Sequence, residues 1–340
     1  MKSFFHQIFR NVNQAKKLLI AGILLVSYVT VNAQQDPMFT KYMFNSLWYN
    51  PAYAGSSDHM NFNLIHRSQW IGFPGAPQTQ SLTLHTPLRN ERVGVGFSLV
   101  NDKVGALNNL YANFAYAYRI PVGYGNLSIG MQGGLSNFTA NWAKLNIKDP
   151  DPSFQTPLNT FRPNFGAGLY YYTSRFYAGL GVPHLIEYDL SPKTAQDAIY
   201  ARQYRHYYFS MGGAINLSGP DLVFKPSILV KNVGLLSGIS KDTAFQRINA
   251  PTEIDIDASF LFFQTLWIGA AYRTALQIKN SSNDSFDLWA AYFLGNGLRI
   301  GLAYDYPLTR LRQQTIGSFE IMLGYEFDYK TSRVVTPRYF

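Results

Sequence analysis

Three carboxylates at alternate positions, Glu253, Asp255 and Asp257, are the first candidates for chemistry in this sequence. In an extended strand, this spacing places all three side chains on the same face. Carboxylate oxygens in such a row are ligands that calcium accepts. Lys225 and Lys231, however, lie on the polar face of the preceding run, which one hairpin joins to this one. Because unpaired carboxylates in a confined interior are costly, we expect charge pairing with these lysines in place of calcium binding.

Isolated charges on later runs extend this prediction. Arg299, Asp305 and Glu320 each lie on the face of their run that carries small and polar residues. A charge on such a face needs a partner when the face is turned away from water. We therefore predict that these three residues also form charge pairs inside the fold.

The remaining groups show no catalytic or metal-binding pattern. Only His59 and His66 among the six histidines are close in sequence, and there is no cysteine, so the ligand spacing of a zinc site is missing. No Gly-x-Ser-x-Gly elbow occurs, and Gly94-Val95-Gly96 lies inside a strand-like run, where it favours curvature over dinucleotide binding. We expect no metal, no cofactor and no enzymatic activity, with a lipid-directed barrel enzyme as an alternative.

Strand-like alternation must position these charges, and it recurs to the end of the chain. Val93, Val95 and Phe97 alternate with Gly94 and Gly96, and the same pattern returns in later runs. A period of two is that of a β-strand. With weaker runs included, the pattern predicts about fourteen strands, an even number as bacterial barrels require.

A closed barrel is the strand structure that satisfies every backbone group in lipid. The second face of the runs carries mostly Gly, Ala and Ser, which suits a narrow lumen and not the water-facing side of a sandwich. The 24 Tyr, 25 Phe and 5 Trp suit interfacial girdles. We predict an all-β fold, a single transmembrane antiparallel β-barrel of the outer membrane. Its long connections, 139–163, 183–203 and 233–251, are expected at one end.

The first 33 residues are typical of a signal peptide. Lys16 and Lys17 precede an apolar run that is short for a membrane span, and Val31-Asn32-Ala33 predicts cleavage after Ala33. Removing this leader removes four basic residues and no acid, which lowers the formal charge from +9 to +5. Because the remaining charges are scattered, nucleic acid is not an expected partner.

The next segment, 34–60, is too apolar for a free tail. It contains Met38, Phe39, Trp48 and several further aromatic residues, which need burial, while Pro51 and other breakers prevent one regular element. We expect it to pack in the lumen or against the periplasmic mouth, with 66–70 as the hinge into the first strands and 61–340 as the barrel. The alternative is a periplasmic arm that docks on another protein.

The sequence resembles the PorP/SprF family of type IX secretion system outer-membrane proteins. The resemblance lies in Gln35-Asp36-Pro37, Lys41-Tyr42-Met43-Phe44-Asn45, Asn50-Pro51-Ala52-Tyr53-Ala54-Gly55, His66-Arg67-Ser68-Gln69-Trp70, Gly72-Phe73 and Gly75-Ala76-Pro77. It continues through Pro163-Asn164-Phe165-Gly166, Lys225-Pro226-Ser227, Leu298-Arg299-Ile300-Gly301 and Pro337-Arg338-Tyr339-Phe340. The chain departs from the family pattern at Ser46-Leu47-Trp48-Tyr49.

This resemblance implies a barrel that supports secretion or surface anchoring of a partner, such as a large adhesin used in gliding motility. The implied partners are a secreted protein with a type IX C-terminal sorting domain, other components of the secretion system and outer-membrane lipid. A diffusion channel or solute transporter is the alternative function. The candidate plug or partner contacts are Asp36, Pro37, Tyr42, Met43, Phe44, Asn45, Asn50, Pro51, Tyr53, His66, Arg67, Gln69 and Trp70.

Overall fold

The computed structural model describes residues 36–57, 59–89, 91–142, 157–189, 202–233, 251–276 and 282–327. The predicted signal peptide and its cleavage site lie outside these residues. None of the helices within the described ranges is long and apolar enough to cross a membrane.

Strands make up most of the described chain. They are β1 (Met60–Ser68), β2 (Gln78–Pro87), β3 (Val93–Val104), β4 (Leu107–Val122), β5 (Gly125–Ala140), β6 (Leu158–Tyr172), β7 (Phe176–Val182), β8 (Tyr188–Asp189), β9 (Arg202–Gln203), β10 (His206–Gly213), β11 (Ile215–Ser218), β12 (Leu222–Val233), β13 (Thr252–Phe262), β14 (Leu266–Leu276), β15 (Ser282–Phe293), β16 (Leu298–Pro307) and β17 (Ser318–Phe327). The helical elements are single turns at Tyr42–Phe44, Ser46–Tyr49, Pro51–Tyr53 and Arg310–Gln313.

Antiparallel pairing joins the long strands into one closed barrel. β1 to β7 pair in sequence order, as do β11 to β17, and β1 also pairs with β17. β10 pairs with both β7 and β12, which closes the sheet. β10 and β11 are two halves of one barrel strand that is interrupted at Ala214, while β8 and β9 form a separate two-stranded ribbon. The barrel therefore has fourteen strands, which confirms the predicted fold and number.

The two faces of the barrel wall differ as the alternation predicts. On β4, Phe114 points outward and is 69% exposed, whereas its neighbour Ala115 and the next inward residue, Ala117, are buried. The same exposed and buried alternation runs along β3, β13 and β16. An apolar outer face and a small-residue inner face are what a lipid-spanning barrel requires.

Long and short connections lie at opposite ends of the barrel. Because the strands alternate in direction, the connections 141–157, 183–205, 234–251 and 308–317 all leave the same end, which we call the long-loop end. The opposite, short-turn end carries the tight turns 88–92, 123–124, 173–175, 219–221, 263–265 and 294–297. The prediction that the three long connections share one end is confirmed.

The chain enters β1 at a different place from the one predicted. β1 begins at Met60, at the short-turn end, and His66 already lies within its last third. Trp70 belongs to the following loop at the long-loop end, where its backbone has φ 50°. The prediction of a hinge at residues 66–70 was therefore wrong, because alternation at Asn61 and Asn63 starts the strand earlier.

Candidate functional site

Residues 36–57, which we call the lumen segment, cross the inside of the barrel from end to end. Asp36 lies between His184 and His206, which follow β7 and begin β10 at the long-loop end. At the other extreme, the amide of Gly55 donates to Nδ1 of His85 near the end of β2, at the short-turn end. The segment therefore spans the lumen before the chain turns into β1.

The segment is shortened by three separate helical turns and contains no longer helix within the described residues. The turns follow one another at Tyr42–Phe44, Ser46–Tyr49 and Pro51–Tyr53. Asn50 separates the last two, because its side chain accepts a hydrogen bond from the amide of Ala52 at 2.9 Å and caps the third turn, which Pro51 begins. Asn50 and Pro51 thus end the second turn and begin the third, as expected from the breakers in this segment.

Aromatic packing joins the segment to the barrel wall on several sides. Trp48 is 1% exposed, and its ring lies 5.3 Å from that of Tyr111. Phe44 packs edge-on against Trp267 at 5.1 Å, and Tyr49 meets Tyr208 at 4.8 Å between ring centroids. Burying side chains of this size contributes about 1.5–3 kcal/mol each, so the segment belongs to the hydrophobic core.

Glycines on the inner face of the wall make room for the segment. A Cβ atom at Gly94 would overlap the carbonyl of Ala54, and one at Gly130 would overlap the backbone of Ala52. Equivalent overlaps with the segment occur at two further inward glycines, Gly168 and Gly181. These four glycines lie on β3, β5, β6 and β7, so one side of the barrel forms a track for the segment's backbone. Gly94, for which we predicted a role in strand curvature, therefore also leaves room for the lumen segment.

Buried charges hold the other side of the segment. The Glu320 carboxylate accepts the backbone amides of Thr40 at 2.8 Å and Lys41 at 3.0 Å, one on each oxygen. Arg67 lies between Glu320 and Asp305, with nitrogen–oxygen distances of 3.5 and 2.7 Å, and also donates to the Thr40 hydroxyl. Bonds to ionised groups are stronger than neutral ones, so this cluster fixes residues 40–41 against β1, β16 and β17.

Lys41 projects from the segment into an acidic part of the lumen. Its ammonium lies 4.6 Å from the ring centroid of Trp289, and among the described residues it makes no hydrogen bond. The carboxylates of Asp257 and Asp287 lie near enough to attract this ammonium group. A cation–π contact of this kind contributes most when water is excluded.

The predicted lumen charges pair in a pattern that the strand register explains. Lys231 lies directly opposite Glu253, and their charged atoms are 3.5 Å apart. Lys225 lies opposite Ser259 and packs 3.5 Å above the ring of Trp267. The predicted pairing with these lysines is therefore seen at Glu253, while Asp255 and Asp257 make the contacts described next.

Residues on the next strands meet the other two acids. Asp255 pairs with Arg273 of β14 through bonds of 2.7 and 3.1 Å, and Asp257 accepts the indole N–H of Trp289 at 2.7 Å. Arg299 pairs with Glu326 at 3.1 Å and donates to Asn61. Alternation along the strands predicted which face carries the charges. The partner of each charge, however, comes from a strand one or two positions away in the sheet.

Several residues of the site were not anticipated from the sequence. The charged groups and the segment are contacted by Arg273, His184 and His206. In the sequence, these contacts could have been inferred only from the positions of the three residues on or beside alternating strands. The inward glycines were the clearest signal available, because they recur at the same face of successive strands. Within the described ranges, no group of three or more His, Asp or Glu residues is arranged to hold a metal ion.

The predicted contact residues fall into two groups. Arg67 joins the residues of the lumen segment, where Pro37, Asn45 and Pro51 are buried and Met43 and Tyr53 half-buried. The remaining predicted residues, His66, Gln69 and Trp70, lie away from the segment. His66 points outward and hydrogen bonds Ser68 at 3.1 Å, whereas the Gln69 and Trp70 amides bind the carbonyl of Pro77 and the hydroxyl of Ser318.

Small cavities lie between the segment and the described part of the barrel wall. Two cavities border it near Tyr49, each with a volume of about 10 Å³, which is room for one water molecule. Most side chains of the segment are buried against the wall around these cavities.

Comparisons with known proteins identify a family for this chain. The family model of the type IX secretion system membrane protein PorP/SprF matches residues 31–325. No curated protein matches the chain. Among solved structures, the CymD monoaromatic hydrocarbon channel is 13% identical with a TM-score of 0.49, and the match covers 83% of this chain and 92% of that one. A Pseudomonas aeruginosa FadL homologue is 13% identical with a TM-score of 0.47, covering 82% and 93%. The outer membrane protein Omp33 of Acinetobacter baumannii is 7% identical with a TM-score of 0.44, covering 79% and 99%.

Proposed function

Because the chain belongs to the PorP/SprF family of type IX secretion system membrane proteins, we propose that it is a non-enzymatic outer-membrane barrel that supports secretion or surface anchoring of a partner protein. The partner is a secreted surface protein with a type IX C-terminal sorting domain, such as a large adhesin used in gliding motility. Other components of the secretion system and outer-membrane lipid complete its surroundings.

One observation carries this proposal beyond the family name: the lumen is filled by the protein's own segment. Trp48, Tyr49 and Phe44 pack against the wall from inside, and the bordering cavities hold about one water each. Within the described residues, the segment therefore occupies the space through which a folded or extended partner would pass. Contact at the ends of the barrel is what this arrangement supports, and the alternative of an open diffusion channel has no such support.

The proposed layout places the ends of the barrel on different sides of the membrane. Residues 1–33 are cleaved on export, 34–60 form the segment with its entry to β1, and 61–340 form the barrel. Short turns of such barrels face the periplasm and long loops face the cell exterior. The long-loop end is then the surface that meets the partner.

A deletion strain tests the proposal directly. The cell-surface proteins of the deletion strain are compared by quantitative mass spectrometry with those of a strain complemented by the wild-type gene. We expect at least one surface protein with a C-terminal sorting domain to be lost from the surface and to remain in the cell or appear in the medium. Normal surface display of every such protein in the deletion strain would reject the proposal.

A further inference from the structure

Three connections at the long-loop end, together with the last two residues of β3, form one fixed surface, which we call the loop platform: residues 69–77, 103–106 and 308–317. The Ile71 amide donates to the carbonyl of Gly317 at 2.8 Å, and the Ile316 amide donates back to Ile71 at 3.1 Å. The Gly105 amide donates to Gly75 at 2.9 Å. These bonds join the β1–β2, β3–β4 and β16–β17 connections to one another.

Further bonds brace the first and third connections internally. The amide of Gln69 donates to Pro77 at 3.0 Å within the first connection, and the amide of Gly317 donates to the Thr315 hydroxyl at 3.1 Å within the third. Gly72 and Gly75 have φ of 97° and 76°, values that side chains with a Cβ rarely adopt. Because the loops are held in this way, the surface is preformed, and a partner would bind without ordering it first.

The exposed side chains of the platform combine apolar and basic groups. Phe73 is 40% exposed, Val104 is 40% exposed and Ile316 is 64% exposed. Arg310 and Arg312 are exposed on the third connection. Lys103 on the second connection is exposed as well.

The platform contains no acidic residue in its three segments. Two acids border it among the described residues. Asp102 precedes the second segment and accepts a hydrogen bond from the Thr79 hydroxyl at 2.6 Å, and the carbonyl of Asp284 accepts the amide of Leu308 at 3.0 Å. Charged groups of one sign around exposed apolar side chains are the composition of a docking surface for a partner of the opposite sign. The partner's surface is then acidic and carries apolar side chains of its own.

We propose that the loop platform binds an acidic, partly apolar polypeptide surface of the secreted partner. This inference rests on the proposed function and names the place and chemistry of the contact. The third connection lies beyond the ends of β16 and β17, past the outward-facing Tyr304 and Phe319, which are side chains of the kind found at the lipid–water boundary of such barrels. That position favours a protein in the exterior over the lipid that surrounds the strands.

Two double variants test the platform: Arg310→Glu/Arg312→Glu, which reverses its charge, and Phe73→Ser/Ile316→Ser, which removes apolar contact. Their matched controls lie in exposed turns at the opposite end: Arg89→Glu/Arg175→Glu for charge and Leu88→Ser/Tyr124→Ser for apolar surface. Heat-modifiable mobility in gels first establishes that every barrel is folded and present in equal amount.

Each variant complements the deletion strain, and the surface proteins lost on deletion are quantified. We expect both platform variants to lower their surface level at least tenfold, and both controls to keep it. The purified surface protein should also bind wild-type barrels in nanodiscs at least tenfold more tightly than the charge-reversed barrels, with affinity that falls as salt increases.

The outcomes separate the two proposals. If deletion removes surface proteins but both platform variants restore them fully, the platform inference is overturned and the proposed function stands. If charge reversal lowers only the lipopolysaccharide that co-purifies with the barrel, the platform is a lipid-binding surface and the inference is also overturned. If deletion leaves every surface protein in place, the proposed function itself fails.

Discussion

Replacing Glu320 by Gln tests whether the lumen segment is held by buried charge. The Glu320 carboxylate is 1% exposed and accepts the amides of Thr40 and Lys41 on its two oxygens, at 2.8 and 3.0 Å. A glutamine keeps one acceptor oxygen. Its NH₂ group replaces the other oxygen and cannot accept the hydrogen bond that the facing backbone N–H donates to Glu320. The variant also removes the negative charge beside Arg67.

The magnitude follows from these losses. A hydrogen bond to a charged group contributes about 1.5–3 kcal/mol, and a buried donor without an acceptor costs about 1–3 kcal/mol. One bond is lost and the other becomes a neutral bond. We therefore expect the free energy of unfolding to fall by about 2–4 kcal/mol, part of which reorientation of the side chain recovers.

Urea unfolding of the refolded barrel in detergent micelles, followed by tryptophan fluorescence, measures this change. Glu326→Gln on the same strand is the matched control, because its side chain is 43% exposed and its pair with Arg299 lies at the rim. Exposed pairs contribute about 0–1 kcal/mol, so the control should barely change stability. If the two variants agree within about 0.5 kcal/mol, the segment is not held by the carboxylate of Glu320, and the reasoning fails.

Three further variants address the segment, the glycine track and the charge pairs. Deleting residues 36–45 should lower stability or give conductance steps in planar bilayers that the intact barrel lacks; unchanged stability and conductance would refute the plug. Gly130→Val should destabilise the barrel by about 1–3 kcal/mol in urea unfolding, because its side chain overlaps the segment's backbone. Gly133→Val, outward on the same strand with its nearest contact at 3.7 Å, should change little, and equal losses for both would contradict a track. Lys231→Glu should weaken the barrel by placing two carboxylates together at Glu253, and an unchanged heat-modifiable gel shift would count against that pairing.

The predicted charge pairs show where sequence reasoning stopped. Alternation placed Glu253, Asp255 and Asp257 on one face, and the structure has them there. Pairing in a sheet depends on register, and register sets Lys231 opposite Glu253 but Leu229 opposite Asp255. Because β14 brings Arg273 opposite Asp255, the partner came from a strand that the sequence pattern did not connect to it.

The opening of the chain shows the same division. Apolar composition predicted that residues 34–60 need burial, and the structure places the described part inside the barrel. Composition did not predict the direction in which the segment crosses the lumen, which places Asp36 at the long-loop end. It also did not predict the hydrogen bonds from the amides of Thr40 and Lys41 to Glu320. Residues 280 positions apart meet there because the barrel closes around the segment.

The sequence by itself determined the barrel, its fourteen strands and the gathering of long loops at one end, since each depends on local alternation and on strand parity along the chain. The tertiary structure alone decided which charges meet and why inward glycines recur. It also decided that the loop 69–77, which we expected to lie near a hinge, lies at the long-loop end. These features depend on closure, which brings β1 beside β17 and β10 beside β12. Because these strands are far apart in the sequence, a local pattern does not predict which of their side chains meet across the lumen.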